Sequence, residues 1–240
     1  MFIKRNCGLV RSVTMKGCSN LVTDVDRRVE RLIIERVRRR HAGDAVLSEE
    51  CGDDGREGEY RWIIDPIDGT TNYFRSFPFF CVSIGIVQGR EVKAGAICDP
   101  LRNELFHAAA GSGAFLNVKR IRVSAVSRLS ESFLATGFAY GGGAHSCANI
   151  RRFERFLKAS LGVRRAGSAA LDLAYVACGR FDGFWEMGLH PWDTAAGWRI
   201  VEEAGGIVTR FDGTPFTLDA DDILASNAHI HSHLSETLEA

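Results

Sequence analysis

Trp62-Ile63-Ile64-Asp65-Pro66-Ile67-Asp68-Gly69-Thr70-Thr71-Asn72 is an apolar run that breaks at an acidic turn. Trp62, Ile63 and Ile64 are bulky and in part β-branched, which predicts a buried strand. Pro66, having no amide hydrogen to give a ladder, is expected to end that strand at Asp65. The strand then delivers Asp65 and Asp68 to one point. Gly69, Thr70 and Thr71 follow, small residues whose backbone N–H groups at a helix start suit an anion. Two adjacent carboxylates repel unless they are protonated or neutralised, and hard oxygen ligands beside a phosphate are how Mg²⁺ is commonly held. The same residue types also make an ordinary capped turn, so the rest of the chain has to decide between the two readings.

Working outward, residues 45–47 read as a short strand ending in Ser48-Glu49-Glu50, a second pair of acids at a strand end. Residues 51–59 are a Gly- and acid-rich loop, where exposure is the default for Glu50, Asp53 and Asp54. Upstream, Val22, Val25, Val29, Leu32, Ile33 and Val37 recur at helical spacing within residues 21–40, with Thr23 or Asp24 as the cap. Asp26 on its first turn complements the helix dipole or orients a water. An aspartyl-phosphate nucleophile at Asp24 is excluded, since it should end a buried strand and Arg28 stands where a small residue is wanted. The basic end, Arg36 to His41, reads as a solvated helix terminus rather than a nucleic-acid site.

Downstream, residues 80–87 and 92–98 form a hairpin about Gln88-Gly89-Arg90, with strands at 104–108 and 113–116 and another at 132–136. A loop at 137–143 precedes an amphipathic helix at 149–160 resting on Ile150, Phe153, Phe156 and Leu157. Gly167-Ser168-Ala169-Ala170 opens a helix through Cys178, and residues 181–186 form a strand carrying Asp182 and Glu186. Pro191-Trp192-Asp193-Thr194-Ala195-Ala196-Gly197 starts a helix that Gly205-Gly206 ends, and its small residues permit close backbone approach. Asp193 either complements that helix dipole or, if the helix points at the Asp65 turn, joins it as a ligand. Strands near 206–208 and 223–225 and a C-terminal helix close the chain, with His229, His231 and His233 expected at the surface.

The chain has 240 residues, 45% of them hydrophobic, enough for a sizeable core, and its 30 basic and 30 acidic residues balance. No net charge points to nucleic acid or an anionic membrane as the main partner. Seven scattered cysteines without a C-x-x-C pair indicate neither a disulfide framework nor a zinc site, and a cytoplasmic setting is expected. No apolar run is long enough to span a membrane. Gly111-Ser112-Gly113 lacks the third glycine of a dinucleotide fingerprint, and neither a P-loop nor a nucleophile elbow is present. A composition shift near 115–130 allows two halves, about 1–125 and 126–240, but no linker separates them and one domain over 1–240 is expected.

Taken together, residues 65–72, Trp192-Asp193-Thr194-Ala195-Ala196-Gly197 with Glu203-Ala204-Gly205-Gly206, Leu47-Ser48-Glu49-Glu50 and Leu21-Val22-Thr23-Asp24-Val25-Asp26 resemble the inositol monophosphatase family, lithium-sensitive and magnesium-dependent sugar phosphatases. The resemblance runs from about Lys16 to the end, and the region before Lys16 is shorter than the family's N-terminal helix. It implies an α+β fold layered as an α/β/α/β/α sandwich, a homodimer, and a small sugar or polyol phosphate as substrate. It implies that Glu49, Asp65, the Ile67 carbonyl, Asp68 and Asp193 hold two or three Mg²⁺ ions. Thr70, supported by Asp26, would orient the attacking water, with Glu49 counted in the catalytic set. Gly69, Thr70 and Thr71 would hold the phosphate, Glu186 the polyol hydroxyls, and Gly167, Ser168 and Asp182 the wall; Lys16 would steady the acids.

The expected reaction is hydrolysis of myo-inositol phosphate. Fructose 1,6-bisphosphate, histidinol phosphate and 3′-phosphoadenosine 5′-phosphate are the alternatives, a second phosphate requiring cations such as Arg75, Arg164 or Arg165. A different class of role is that of a binding partner in bacterial transcription complexes.

Overall fold

The computed structural model describes residues 2–8, 13–16, 20–138 and 144–239. A short helix, α1 (Phe2–Asn6), precedes a hairpin of β1 (Val13–Lys16) and β2 (Asn20–Thr23), and α2 (Asp24–Arg40) follows directly. Thr23 is the cap of α2: its hydroxyl accepts from the Val25 and Asp26 amides, and its own amide donates to Asp26 Oδ2 at 2.9 Å. Gly17 and the side chain of Lys16 lie outside the described residues, as does most of the 137–143 loop.

The next strands are β3 (Ala45–Ser48), β4 (Gly52–Asp53), β5 (Arg61–Asp68), β6 (Cys81–Gln88), β7 (Glu91–Asp99), β8 (Glu104–Ala109), β9 (Gly113–Leu116) and β10 (Lys119–Ile121), with α3 (Thr70–Phe74) inserted after β5. They form one sheet in the order β10-β9-β8-β7-β6-β5-β3-β4, antiparallel except for β3 beside β5. A second, five-stranded sheet combines β11 (Phe133–Thr136), β12 (Gly162–Arg164), β13 (Gly183–Met187), β14 (Gly206–Thr209) and β15 (Asp222–Asn227) in the order β12-β11-β13-β15-β14. Its helices are α4 (Ala144–Ala159), α5 (Ala169–Ala177), α6 (Pro191–Glu203) and α7 (His231–Glu239).

The layers follow from what each face buries. Ile64 packs with Val37 and Val46 beneath α2, whereas its neighbour Ile63 packs with Val87, Val92 and Ala195 beneath α6. Successive strand residues point to opposite faces, so an apolar run without alternation requires both faces to be covered. Burying each isoleucine fully contributes about 1.5–3 kcal/mol. α5 and α6 fill the space between the sheets, where Ile97 and Phe106 of one meet Phe184 and Ala225 of the other around Leu171 and Ile200. Phe156 of α4 and Leu234 and Leu238 of α7 cover the far side of the second sheet. The result is the expected α/β/α/β/α sandwich.

α6 lies unusually close to the first sheet because two strand glycines give it room. A Cβ at Gly85 would stand 2.7 Å from the Ala195 Cβ, and one at Gly95 would stand 2.4 Å from the Ala196 carbonyl oxygen.

Several local expectations are corrected. Pro66 does not end its strand: β5 continues to Asp68 through a register shift between Asp65 and Asp68, where no ladder donor is needed. α4 starts earlier than predicted, and Ile150 and Leu157 are more than half exposed while Phe156 is fully buried, so its inner face is narrower than the apolar pattern suggests. His231 is buried against Thr209 and Ser226 rather than at the surface.

Candidate functional site

The irregularity in β5 creates the site. Asp65 pairs opposite Ser83 and Asp68 opposite Cys81, so three steps along β5 match two along β6. Residues three apart on a regular strand face opposite sides; the extra residue restores the parity and turns both carboxylates to one cavity. Asp193, in the first turn of α6, meets them there. One carboxylate oxygen from each of Asp65, Asp68 and Asp193 falls within 4.8 Å of the others. Glu49, whose amide donates to the Ile64 carbonyl at 3.1 Å, lines the same cavity, as do Ile67, Gly69 and Thr70.

Each acid is held differently. Asp68 Oδ2 accepts from the Ser168 hydroxyl at 2.6 Å and the Ala170 amide at 2.7 Å, bringing the start of α5 onto it. Asp193 Oδ2 accepts from the His190 amide at 2.7 Å. Asp65 Oδ1 is buried with no hydrogen-bond partner among the described residues. Burial is the leading cause that raises all three. It lifts Asp68 to about 6 against the hydrogen bonds from Ser168 and Ala170, and lifts Asp65 and Asp193 well above the usual carboxylate range, with the neighbouring acids adding to it. Acids packed this way cannot all ionise alone.

The α2 side contributes Asp26, fully buried, whose Oδ1 accepts from Thr70 Oγ1 at 3.1 Å; the Ile67 carbonyl lies 3.0 Å from the same hydroxyl. Burial raises Asp26 to about 6, opposed by its hydrogen bonds from Thr23 and Thr70. Gly69 stands at φ 93°, where a Cβ would meet the Phe79 carbonyl oxygen at 3.0 Å, so the turn into α3 requires glycine.

Across the cavity, of about 330 Å³, Glu186 of β13 faces the acids, with Gly167 and Ser168 on the wall. Burial pushes Glu186 up to about 8, and Arg165 opposes that shift. Gly137 leaves the space Glu186 occupies, since a Cβ there would overlap its carboxylate at 2.0 Å. Two expected contacts fall elsewhere. Thr71 does not line this cavity. Asp182 does not reach it either: its carboxylate accepts from Ser124 Oγ at 2.5 Å and the Phe133 amide at 2.6 Å, tying strand ends together.

Of the three cations considered for a second phosphate, only Arg165 lines the cavity. Arg164 stacks on Phe133 and Arg75 on Phe74. Sequence reasoning passed over Phe138 and His190, which also line it, and Asp172, buried on α5 with Oδ1 unpartnered among the described residues. It also passed over Glu30, although its spacing of four from Asp26 places both on one face of α2.

The donor set fits a hard divalent cation. Three clustered carboxylates, one with a buried oxygen unpartnered among the described residues, call for positive charge between them, and oxygen-only ligands suit Mg²⁺. No helix among the described residues is long and apolar enough to cross a membrane.

Comparison with known proteins identifies the relatives of this chain and of its fold. The chain is 46% identical to inositol-1-monophosphatase of Synechocystis sp. over 97% of its own length and 82% of that protein's. It is 42% identical to the Nus factor SuhB of Escherichia coli, over 90% of this chain and 82% of that one. Among solved structures, extragenic suppressor protein suhB from Bartonella henselae superposes with a TM-score of 0.95 at 40% identity, covering 99% of this chain and 92% of that one. Fold and acidic cavity are those of a phosphatase. The chain belongs to the inositol monophosphatase family, which it matches over residues 3–240.

Proposed function

We propose that this chain is a Mg²⁺-dependent phosphomonoester hydrolase that converts inositol 1-phosphate and water to myo-inositol and phosphate. The observation that carries the reading is the convergence of Asp65, Asp68 and Asp193 within 4.8 Å, with Asp65 Oδ1 buried and unpartnered. Glu49, Asp65, the Ile67 carbonyl, Asp68 and Asp193 would hold two or three Mg²⁺ ions. Bound there, Mg²⁺ supplies Lewis-acid polarisation of the phosphoryl group and lowers the pKa of a water.

The chain's own residues do the rest. Thr70 Oγ1 donates to Asp26 and so keeps its lone pairs free to accept from the attacking water. Asp26 fixes that rotamer and helps take up the proton. The backbone of Gly69 and Thr70 faces the phosphate; Glu186, across the cavity, accepts from polyol hydroxyls and sets orientation. Ser168 and the Ala170 amide fix Asp68. A single functional unit over residues 1–240, a homodimer in the cytoplasm and inhibition by lithium complete the proposal.

The test is phosphate release from inositol 1-phosphate with and without Mg²⁺, beside Asp65→Asn and a parallel assay on fructose 1,6-bisphosphate. Release that needs Mg²⁺, is lost in the variant and favours the monophosphate supports the reading. No release from either ester by folded protein overturns it. Likeness to the Nus factor SuhB favours a second reading, a partner role in transcription complexes. Full replacement of the wild type by Asp65→Asn in cells would establish that role as the biologically needed one.

A further inference from the structure

We propose that Glu30, on the inner face of α2, is a positioning residue that sets the metal-binding geometry of Glu49; this rests on the reading of Glu49 as a ligand. Glu30 is 1% exposed, among the most buried acids of the chain, yet it does not line the cavity. Its carboxylate gathers four donors from one short turn. Oε1 accepts from Ser48 Oγ, from the Glu50 amide at 3.0 Å and from the Cys51 amide at 3.1 Å; Oε2 accepts from Cys51 Sγ at 2.7 Å.

These donors bracket Glu49 on both sides in sequence. Glu49 is the odd member of the acid set. Asp65, Asp68 and Asp193 sit on a long strand and a long helix packed between layers, whereas Glu49 sits just past a four-residue strand whose next partner, β4, has only two residues. Its amide donates to the Ile64 carbonyl of the first sheet. The Ser48–Gly52 pairing of β3 with β4 closes the turn, and within it the Glu50 and Cys51 amides are held on Glu30. A carboxylate accepting several N–H, O–H and S–H bonds at a position 1% exposed is a strong anchor, and its loss removes four acceptor bonds from one short turn at once. Supports behind a metal ligand commonly govern metal affinity by about 10–100-fold.

The substitutions separate this from general stabilisation. Glu30→Ala removes all four acceptor bonds. Glu30→Gln keeps an oxygen for the two amides, while Ser48 can turn to the Ile64 carbonyl it already approaches at 3.3 Å. In Glu30→Ala the Mg²⁺ concentration for half-maximal phosphate release should rise at least about tenfold, with substrate KM at saturating Mg²⁺ within about twofold of wild type; Glu30→Gln should recover most of the loss. Two readouts need no turnover: Mg²⁺ affinity by titration calorimetry should fall in parallel, and amide exchange at residues 50 and 51 should quicken in metal-free protein.

A folded Glu30→Ala protein with unchanged Mg²⁺ affinity overturns the proposal. If Glu30→Ala does not fold, Glu30→Asp, which keeps the charge but shortens the reach by one methylene, carries the same expectation and the same overturning result. Wild type that neither binds Mg²⁺ nor releases phosphate would instead sink the metal-site reading, so the two failures are distinguishable.

Discussion

Ser168 Oγ donates to Asp68 Oδ2 at 2.6 Å, joining residues 100 apart in sequence. The residue that caps α5 therefore orients an acid at the end of β5, tying the start of that helix to the first sheet at the site. Ser168→Ala should leave substrate KM nearly unchanged and raise the Mg²⁺ requirement by about tenfold, as loss of a support behind a ligand does. A Mg²⁺ titration at fixed substrate, paired with a substrate titration at saturating Mg²⁺, distinguishes this from a wall contact with the polyol, which would move KM instead.

Thr70 and Asp26 should behave as a unit. Thr70→Ala and Asp26→Asn are each expected to lower kcat by about 10²-fold or more, with the double variant little worse than either, because each acts through the other. Thr70→Ser should retain most activity. Single-turnover rates on the four proteins give the comparison, and additive losses would separate the pair.

Asp65→Asn should abolish phosphate release yet make the metal-free protein more stable. Its carboxyl is raised in the folded state by burial and by Glu49, Asp68 and Asp193. As pH rises past about 4, the unfolded chain gives up this proton first, so the group's contribution lowers stability until its folded range is reached, and the deficit persists above it. The amide carries no such charge. Thermal midpoints at pH 8 in EDTA should rank the variant above wild type, and excess Mg²⁺ should raise the wild type alone, by about 2.7 kcal/mol at 100 times Kd.

Asp182→Ala should cost about 2–3 kcal/mol of stability, since it strips partners from Ser124 and the Phe133 amide, while KM stays within about twofold. Urea midpoints and substrate titrations provide the two numbers. A large KM change with little destabilisation would return Asp182 to the substrate wall.

His231 gives the opposite sign of pH dependence to the acid cluster. Burial lowers its imidazole to about 4, so between pH 6.5 and 4 the unfolded chain binds a proton that the folded chain resists, and stability falls as pH falls. Between pH 7 and 5 wild type should lose about 1 kcal/mol more than His231→Gln, once water near the ring is allowed for. Equal losses in urea titrations at the two pH values would show that the ring titrates normally.

Much of the layered fold was legible because both faces of the β5 region are apolar and the turns carry their own glycines and prolines. The acids that converge were legible as residues: Asp65, Asp68 and Asp193 each stand beside a strand end or helix start that sequence marks. How Asp65 and Asp68 share one face was not, because the shift past Pro66 depends on pairing with β6, a partner known only in three dimensions. Asp182 and Glu186 look alike on one predicted strand, and only the neighbouring Phe133 amide and Gly137 separate a structural acid from a cavity acid. His231 defeats pattern reading for the same reason, its burial being set by Thr209 and Ser226 from elsewhere in the chain.

The glycines beneath α6 work as a spacer made of missing atoms. Gly85 and Gly95 fix how deeply the helix carrying Asp193 sinks toward the strands, although neither lines the cavity. One methyl group at position 95 would lift the helix like a wedge and tilt an acid at its tip away from two acids anchored in the sheet. The spacing of Asp65, Asp68 and Asp193 is thus written into residues outside the cavity, where a mutation would tune how tightly these acids could hold a cation without touching the groups that face a substrate.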